Sequence, residues 1–343
     1  MTTISAFGAL RYDPHVAGPL QKLVAPPYDV IDEDGRFALL DRSPYNIVHL
    51  TLPDSVEQAG RDLTDWRARG VLVEEPPALW WVTQDYVGPD GVARTREGIA
   101  GSIEASPYSE RTVLPHERTH AAAKETRLQL LRATRTQLEP IFLLYDADPP
   151  AKRPEGEPEM DVSEGNERTR VWRLSERELE LDVPLLIADG HHRYETAVAF
   201  REENPSASNT FAVLVSSRSP GLEIFPTHRV VHDIGVQPFG LMTSTWDTTA
   251  LTLYRHGNFF RLDSDDELDT REVESYELEG VEYTPNPNEA ITAVDEERAG
   301  AAFLVRAPPV SQVFAFAQRG EMMPQKSTYF YPKLTSGLLL HPV

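Results

Sequence analysis

The segment VPLLIADGHHRYETAVAFREE, from Val183 to Glu203, is the clearest structural unit of the sequence. Its apolar start predicts a buried strand, and the spacing of its second half predicts a helix. Between them lies a tight polar turn, Asp189 to Arg193 (DGHHR). A helix N-terminus presents unpaired backbone N–H groups and the positive end of the helix dipole. The segment therefore predicts a strand and a helix with an anion site at the turn between them.

Each residue type in this turn suits phosphate chemistry. Gly190 permits close approach of the backbone, and Arg193 can bind a phosphate through two N–H groups. His191 and His192 can donate hydrogen bonds, act as a general acid or accept a phosphoryl group. Asp189 could instead serve only as the helix cap, with exposed histidines behind it. Two histidines and an arginine after a buried strand favour the functional interpretation, because polar chemistry gathers where a loop leaves a sheet.

The elements outside this unit alternate between strands and helices, which predicts a mixed α+β fold. A Pro-Pro step at residues 26–27 excludes a helix over Leu23 to Ile31. Two strands flanking Gly88 to Gly91 read as a hairpin. The other predicted elements are helices over Glu33 to Leu40, Val56 to Arg69 and Ala121 to Thr134, and strands over Asn46 to Leu52, Ile141 to Tyr145 and Thr210 to Ser217.

The length of the chain and its changes in composition predict two regions. We expect residues 1–234 to form a phosphate-binding core that contains an inserted hairpin-helix region at about 78–146. A segment rich in Pro, Glu and Gly at about 147–169 predicts a flexible loop. Residues 235–343 are expected to form a C-terminal α/β region that contributes a basic Lys/Ser/Thr segment to the site.

Composition excludes several classes of function. The chain has 343 residues, no Cys and a formal charge of −21. Without Cys there are no disulfides, no thiol catalysis and no Cys-ligated zinc or iron–sulfur centre. The acidic balance argues against nucleic acid or an anionic membrane as partner, and an anionic small molecule would need a locally basic pocket. With no signal-peptide pattern and no long apolar run, we expect a cytoplasmic location.

A second motif, HERTH (His116 to His120), matches the metalloprotease pattern H-E-x-x-H. On a helix the two histidines would share one face, with Glu117 as general base. Pro115 directly precedes the motif, so these residues open a helix or lie before it. One alternative is a loop-to-helix transition with Thr119 as cap. The other is a polar cluster facing a phosphate or carboxylate, formed by His116, Glu117, Arg118, Lys124 and Arg127.

Three further features are candidates for the same chemistry. The tripeptide Thr227-His228-Arg229 follows an apolar stretch, and a strand end with an exposed arginine explains it equally well. The tripeptide Lys326-Ser327-Thr328, followed by Lys333, suits phosphate contacts but lacks the upstream glycine of a P-loop. The chain has only five lysines, so those that remain in motif-like segments stand out. Asp29 and Asp189 are candidate Mg²⁺ ligands.

Several of these segments together resemble the bacterial and archaeal family catalogued as domain of unknown function 1015. The similar segments run from Ala25 to Leu338 and are APPYDVI, YNIVHL, LPHERT, KETRLQLLRAT, IADGHHRYETA, GLEIFPTHRVV and MPQKSTYFYPKLTSGL. The segment ADGHHRYETA is highly specific. His120 is not part of the family pattern, which weakens the zinc interpretation.

The family in turn resembles, more distantly, the free-serine kinases of the ParB and sulfiredoxin superfamily. The shared element is a Gly-x-His-Arg turn, here Gly190 to Arg193. The resemblance implies a ParB/sulfiredoxin-like core in which this turn holds nucleotide phosphates and APPYDVI forms the N-terminal box. It also implies a role in serine biosynthesis, with phosphoserine as the substrate.

We therefore expect a phosphoryl-transfer enzyme acting on O-phosphoserine or free serine, either a phosphatase or an ADP-linked phosphotransferase. Its expected partners are a small phosphorylated amino acid and a nucleotide, with Mg²⁺ as cofactor and ADP or ATP as co-substrate. The alternatives are a nucleotide-binding regulatory module without catalysis and a zinc hydrolase. The expected catalytic residues are Asp189, His191, His192, Arg193 and Glu117. The expected binding residues are Gly190, His116, Arg118, Thr119, Lys124, Arg127, Thr227, His228, Arg229, Lys326, Ser327 and Thr328.

Overall fold

The apolar run before Asp189 forms a strand, Leu185–Asp189, and a helix follows it at His191–Glu203. Both elements agree with the sequence prediction. Leu185 and Ile187 are inaccessible to solvent because they belong to an apolar core that also contains Leu143 and Tyr194. The computed structural model from which these elements are taken describes residues 1–119, 121–232, 240–264 and 266–343.

The described residues form a mixed α+β fold. Short 3-10 helices span Leu20–Lys22, Tyr28–Val30 and Tyr108–Glu110. The helices are α1 (Pro14–Ala17), α2 (Glu33–Arg42), α3 (Val48–Thr51), α4 (Val56–Ala68), α5 (Ala121–Thr134), α6 (His191–Glu203), α7 (Asp269–Glu274), α8 (Pro287–Asp295) and α9 (Val310–Arg319). The strands are β1 (Thr2–Ser5), β2 (Leu10–Tyr12), β3 (Leu72–Glu74), β4 (Trp80–Val87), β5 (Ala93–Glu104), β6 (Val113–Leu114), β7 (Thr136–Gln137), β8 (Ile141–Tyr145), β9 (Met160–Glu164), β10 (Glu167–Arg173), β11 (Glu178–Leu181), β12 (Leu185–Asp189), β13 (Asn209–Ser216), β14 (Glu223–Phe225), β15 (His228–Val231), β16 (Leu241–Thr243), β17 (Thr252–Arg255), β18 (Asn258–Arg261), β19 (Glu282–Thr284), β20 (Ala301–Leu304), β21 (Tyr329–Tyr331) and β22 (His341–Pro342).

The contacts between residues divide the chain into two units. The first consists of Met1–Gly88, Val92–Leu222 and Pro332–Val343, and the second of Pro89–Gly91 and Glu223–Tyr331. This division differs from the predicted boundary at residue 234. The last residues belong to the first unit because β22 pairs with β7.

The main sheet of the first unit follows the order β6-β12-β8-β13-β5-β4-β10-β9, and β1 joins β5 to β11. Strand β12 is parallel to β6 and antiparallel to β8, so the sheet is mixed. Helices α5 and α6 pack together through Leu128, Leu131 and Phe200. The N-terminus of α6 thus lies directly after a strand that is buried within the sheet.

The hairpin-helix region predicted at about 78–146 supplies much of this main sheet. Strands β4 and β5 pair antiparallel on either side of the predicted turn, with Val87 opposite Ala93. Strand β5 then pairs with β13, which also pairs with β8. The region therefore builds the middle of the sheet and does not lie outside it.

The loop predicted at about 147–169 is wrong in its second half, which forms β9 and the start of β10. Met160 and Val162 are buried while Asp161 and Ser163 are exposed, which is the alternation of a half-buried strand. The ion pair between Arg168 and Asp161 crosses the two strands. The many Pro and Gly residues before Met160 obscured this short alternating pattern.

The strand predicted over Asn46 to Leu52 is also wrong, because this segment forms helix α3. The side-chain oxygen of Asn46 accepts a hydrogen bond from the backbone N–H of Val48 at 3.0 Å, which starts the helical turn. The amide nitrogen of Asn46 donates to the carbonyl oxygens of Lys22 and Val24. Long-range bonds of this kind overrode the strand propensity of the segment.

The second unit contains a separate sheet in the order β16-β18-β17-β20-β15-β19. Its apolar core includes Val231, Leu253 and Phe303. Strands β14 and β21 form a further antiparallel pair in the same unit. Within the described ranges of the chain, no helix has both the length and the apolar character needed to cross a membrane.

Candidate functional site

Gly190 makes the turn between β12 and α6 possible. Its backbone lies in the left-handed region, with φ 96° and ψ 31°, which side chains disfavour. A Cβ atom at this position would lie 3.0–3.1 Å from the guanidinium atoms of Arg193. The glycine therefore lets the strand end and the helix begin within one residue, and it lets the Arg193 guanidinium fold back against the turn.

Asp189 holds two cations at this turn. Its Oδ2 pairs with Nη2 of Arg193, and its Oδ1 pairs with Nζ of Lys333. The side chains of Asp189, Arg193 and Lys333 are only 12%, 10% and 18% exposed. Arg193 also donates from Nη1 to the carbonyl oxygen of Pro140 at 2.5 Å. The three groups carry a net positive charge beside a helix N-terminus, which is an arrangement that attracts anions.

The pKa values of these groups follow from their mutual contacts. Burial alone would raise the pKa of Asp189, but Lys333 and Arg193 outweigh it and hold that pKa well below its usual range. Burial alone would lower the pKa of Arg193 and of Lys333, but the charge of Asp189 outweighs it and raises both. All three groups are therefore ionised at neutral pH.

The segment APPYDVI lies close to the same turn. The Arg127 guanidinium is 4.0 Å from the centre of the Tyr28 ring, and its Nη1 donates to the carbonyl oxygen of Thr51 at 2.8 Å. Asp29 is exposed, and its charge contributes to raising the pKa values of Arg193 and Lys333. The structure thus brings two of the predicted site residues, Asp29 and Arg127, to the region of the turn.

Glu139 is a buried carboxyl group in this region. Its Oε1 accepts hydrogen bonds from the backbone N–H of Tyr28 and from the hydroxyl of Ser336, both at 3.0 Å. Burial raises the pKa of Glu139, and the charges of Arg193 and Arg127 oppose that rise. The charge of Asp29 acts in the same direction as burial, so Glu139 is influenced by both anions and cations of the candidate site.

His116 and His191 form a buried pair behind the turn. Their ring centres are 4.8 Å apart, and their planes are inclined by 70°. Nδ1 of His116 donates to the carbonyl oxygen of Ile187 at 2.7 Å, and the backbone N–H of His116 donates to Nε2 of His191 at 3.3 Å. Burial lowers the pKa of His116 to about 4, and burial together with His116 lowers the pKa of His191. Both rings are neutral at pH 7, with the proton of His191 on Nδ1.

The HERTH residues that the structure describes lie before helix α5, which begins at Ala121. His116 is buried, Arg118 is exposed, and Glu117 Oε1 is 3.9 Å from His116 Nε2. His120 lies outside the described residues. Among residues 1–119, 121–232, 240–264 and 266–343, no group of three His, Asp or Glu side chains is arranged to hold a metal ion.

Glu195 of α6 contacts two further predicted site residues, Thr119 and Lys124. Its Oε2 accepts from the hydroxyl of Thr119 at 2.8 Å and lies 3.6 Å from Nζ of Lys124. His192, the second residue of α6, is half-buried. The loop that contains His116 and the start of α5 are thereby held against the first turns of α6.

The predicted residues of the second unit are mostly buried in backbone contacts. His228 begins β15 and accepts at Nδ1 from the backbone N–H of Val305, and burial lowers its pKa to about 4. Arg229 donates to the carbonyl oxygens of Thr227 and Gln325. Ser327 is buried and bonds to Thr270 at 2.8 Å, Thr328 is half-buried, and Lys326 is exposed with φ 56°.

A family model described as protein of unknown function (DUF1015) matches residues 4–288. The chain belongs to this family. The match includes the Gly190 turn and the APPYDVI segment, whereas Lys333 lies beyond its end. No curated protein matches the chain significantly.

Solved structures provide weaker likenesses. A free serine kinase in complex with AMP is 16% identical, with a TM-score of 0.41, covering 70% of this chain and 92% of that one. A mutant of a free serine kinase in complex with ADP has the same identity, coverage and TM-score. SbnI with a C-terminal truncation, from Staphylococcus aureus, is 11% identical, with a TM-score of 0.41, covering 68% of this chain and 84% of that one.

The sequence analysis named Lys333 beside the tripeptide at 326–328 but did not include it among the expected site residues, and it did not identify Glu139. Lys333 is 144 residues from Asp189 in the chain, so no local pattern predicts their contact. The scarcity of lysine in the chain is a signal that favours Lys333 as well as the tripeptide at 326–328. Glu139 precedes the buried strand β8, and a carboxyl group at the entrance to a buried strand was the only available hint.

Proposed function

We propose that the protein transfers a phosphoryl group to or from the hydroxyl oxygen of serine. The observation that carries the proposal is the pairing of Arg193 and Lys333 on one carboxylate at the N-terminus of α6. Catalysis of phosphoryl transfer consists mainly of positioning and charge neutralisation, and two oriented cations at a helix N-terminus supply both. The Gly-x-His-Arg resemblance of the same turn supports the choice of serine.

In this proposal Asp189 positions the two cations and does not move a proton. A carboxylate held ionised between Arg193 and Lys333 is a weak proton acceptor. His191 is likewise a positioning residue, since its Nε2 accepts a bond from His116 and its ring is neutral. His192 at the start of α6 is the proposed proton donor.

Asp29 is the proposed ligand for Mg²⁺, because an exposed carboxylate beside the two cations suits a hard divalent ion. When bound, Mg²⁺ would neutralise charge on the phosphoryl oxygens. A nucleotide with Mg²⁺ and O-phosphoserine both present the phosphate oxygens that Arg193 and Lys333 are placed to bind. A ParB/sulfiredoxin-like core for the first unit is part of this proposal.

The proposed phosphoryl transfer can run in either direction. When phosphoserine is consumed, the bond from phosphorus to the serine oxygen breaks as a new bond to phosphorus forms. The new bond comes from a terminal phosphate oxygen of ADP, or from the oxygen of a water molecule that releases one proton to solvent. The serine oxygen takes a proton from His192. Kinase action is the reverse, in which the serine oxygen gives up its proton and displaces ADP from ATP.

A ³¹P NMR time course tests the proposal with two reaction mixtures, one with O-phospho-L-serine and Mg²⁺ and one with the further addition of ADP. A third mixture of L-serine, ATP and Mg²⁺ tests the reverse direction. Inorganic phosphate without ADP would identify a phosphatase, and ATP formed only with ADP would identify a phosphotransferase. Unchanged spectra in all three mixtures would contradict the proposal.

Variants of the two cations sharpen this test. Arg193→Ala and Lys333→Met should each lower turnover by about 100-fold or more, since each removes a charge that stabilises the transferring group. Arg132→Ala is the matched control, because Arg132 pairs with Glu203 on the exposed side of α5 and α6. The control should retain full turnover, and a folded, fully active Arg193→Ala variant would remove this turn from the mechanism.

A further inference from the structure

A small cavity lies on the far side of Arg193, between α5, α6 and the strand β8. Its volume is about 60 Å³, and Arg193 and Arg127 line it together with Glu139. A water molecule needs roughly 10–15 Å³ by this measure, so the cavity has room for about four to six waters. A small amino acid fills a space of this size, whereas an aromatic amino acid exceeds it.

The walls of the cavity combine the groups that a zwitterion requires. Arg127 and Arg193 line the cavity, and the N–H groups of a guanidinium can bind a carboxylate. Glu139 is 93% buried, and both of the hydrogen bonds that it accepts from described residues end on Oε1, so Oε2 can accept from an ammonium group. Leu130, Leu131 and Ala197 form an apolar wall that suits a short side chain.

The charges of these groups face one another. The charges of both Arg127 and Arg193 act on Glu139, as they also act on Tyr28, whose backbone N–H bonds to Glu139. The cavity is small and is lined by one buried carboxyl group and two arginines. Few ligands of that size can pair with all three charges. A single anion would leave Glu139 without a cationic partner, and a single cation would leave both arginines without an anionic partner.

We infer that this cavity binds the free zwitterion of a small α-amino acid, with the carboxylate at Arg127 and Arg193 and the ammonium group at Glu139. This inference deepens the proposed function, on which its choice of serine as ligand rests. Arg193 lines the cavity and also pairs with Asp189 at the helix N-terminus. A bound amino acid would thus lie beside the anion site that Lys333 completes.

Calorimetric titration of the wild-type protein with L-serine, in the absence of nucleotide, tests the inference. Serine should bind, whereas L-phenylalanine should not, because of its size. Glycerate has the carboxylate and hydroxyl groups of serine but no ammonium group, so it should bind more weakly than serine. Absence of serine binding up to millimolar concentration would overturn the inference, as would binding of phenylalanine equal to that of serine.

Glu139→Gln isolates the ammonium contact. The variant keeps an oxygen to accept from Tyr28 and Ser336, so it should fold. It should lose at least about tenfold in serine affinity, which is the effect of about 1.4 kcal/mol, and should bind glycerate no worse than the wild type does. Glu125→Gln, on the exposed face of α5, is the matched control and should bind serine normally. Equal serine affinity in the two variants would contradict the inference.

Lys333→Met separates this inference from the proposed function, because Lys333 does not line the cavity. This variant should lose binding of inorganic phosphate and keep binding of serine, whereas Glu139→Gln should show the opposite pattern. Serine binding without any turnover in the NMR experiment would disprove the proposed function and keep the inference. Turnover without serine binding in the titration would disprove the inference and keep the proposed function.

Discussion

Two His-Arg pairs follow apolar stretches in this chain, and the structure uses them differently. His192 and Arg193 are the second and third residues of helix α6, where Arg193 pairs with Asp189. His228 and Arg229 begin strand β15, where His228 accepts from the backbone of Val305 and Arg229 donates to backbone carbonyl oxygens. The first pair lies at a cluster of side-chain charges, whereas the second hydrogen-bonds to backbone groups of its own unit.

The two pairs differ in their surroundings because a different residue precedes each of them in the chain. Gly190, with φ 96°, ends β12 and turns the chain into a helix within one residue. Thr227 precedes the second pair, and the chain continues as an extended strand whose residues pair with β19 and β20. A dipeptide of the same composition thus becomes a candidate anion site only where the backbone places it at a helix N-terminus.

Asp189→Asn should have the largest effect on stability among the substitutions that test the difference between the two His-Arg pairs. The substitution leaves Arg193 and Lys333 buried without their counter-charge, which should lower the free energy of unfolding by about 3–5 kcal/mol. The same loss of negative charge should strengthen the binding of phosphate. Thermal unfolding with and without inorganic phosphate, at matched ionic strength, should therefore show a larger phosphate-dependent rise in Tm for the variant than for the wild type.

The second unit offers the control for this substitution. Asp269 is buried and paired with Arg306, so Asp269→Asn should also lower the Tm. Its Tm should not depend on phosphate beyond the wild-type response. An equal phosphate response of the two variants would mean that the turn before α6 has no special affinity for anions.

The pH dependence of stability compares buried histidines of both units. Burial lowers the pKa of His116 in the first unit and of His228 in the second to about 4. Below pH 6.5 the unfolded chain binds a proton at each histidine and the folded chain does not, so stability falls as the pH falls. The loss is complete below about pH 4 and amounts to about 3 kcal/mol for each group. Glu139, whose pKa burial raises, acts in the opposite direction at low pH.

Scanning calorimetry between pH 7 and pH 4.5 measures this loss. His228→Gln should flatten the profile, because the amide keeps an acceptor for Val305 and does not titrate. His256→Gln, which replaces an exposed histidine, should leave the profile of the wild type unchanged. A profile for His228→Gln as steep as that of the wild type would show that the burial of His228 does not govern acid stability.

Site residues that lie near one another in the sequence were predicted, whereas contacts between residues far apart in the sequence were not. The strand, turn and helix around Gly190 are encoded within about twenty consecutive residues, and the pattern of apolar and polar residues was sufficient to predict them. The contact between Asp189 and Lys333 spans 144 residues, and the bond between Glu139 and Ser336 spans 197. Such contacts form only when the folded sheet brings distant segments of the chain together. A local sequence pattern does not predict which segments meet.

The errors in the fold have the same origin. Asn46 starts helix α3 while bonding to the carbonyl oxygens of Lys22 and Val24, so a distant segment overrides the strand propensity. Strand β9 has only five residues and pairs with β10, and its two buried apolar residues follow a Pro-rich stretch. In both cases the local signal is short and the deciding partner lies elsewhere.

Gly190→Ala should give the smallest effect on stability and the sharpest test of the comparison. A non-glycine residue at φ 96° costs about 1–2 kcal/mol, and its Cβ would displace the Arg193 guanidinium. Gly156→Ala is the matched control, because Gly156 has φ 95° and a Cβ added there would meet no atom of the described residues within 4 Å. Both variants should lose similar stability in thermal unfolding, but only Gly190→Ala should lose the rise in Tm on adding phosphate. Both variants carry the same kind of backbone strain. A difference between them in the rise of Tm on adding phosphate therefore reports on the position of the Arg193 guanidinium. If both variants kept the phosphate response, the guanidinium would not need the space that Gly190 leaves, and the distinction between the two His-Arg pairs would rest on Lys333 and the helix N-terminus.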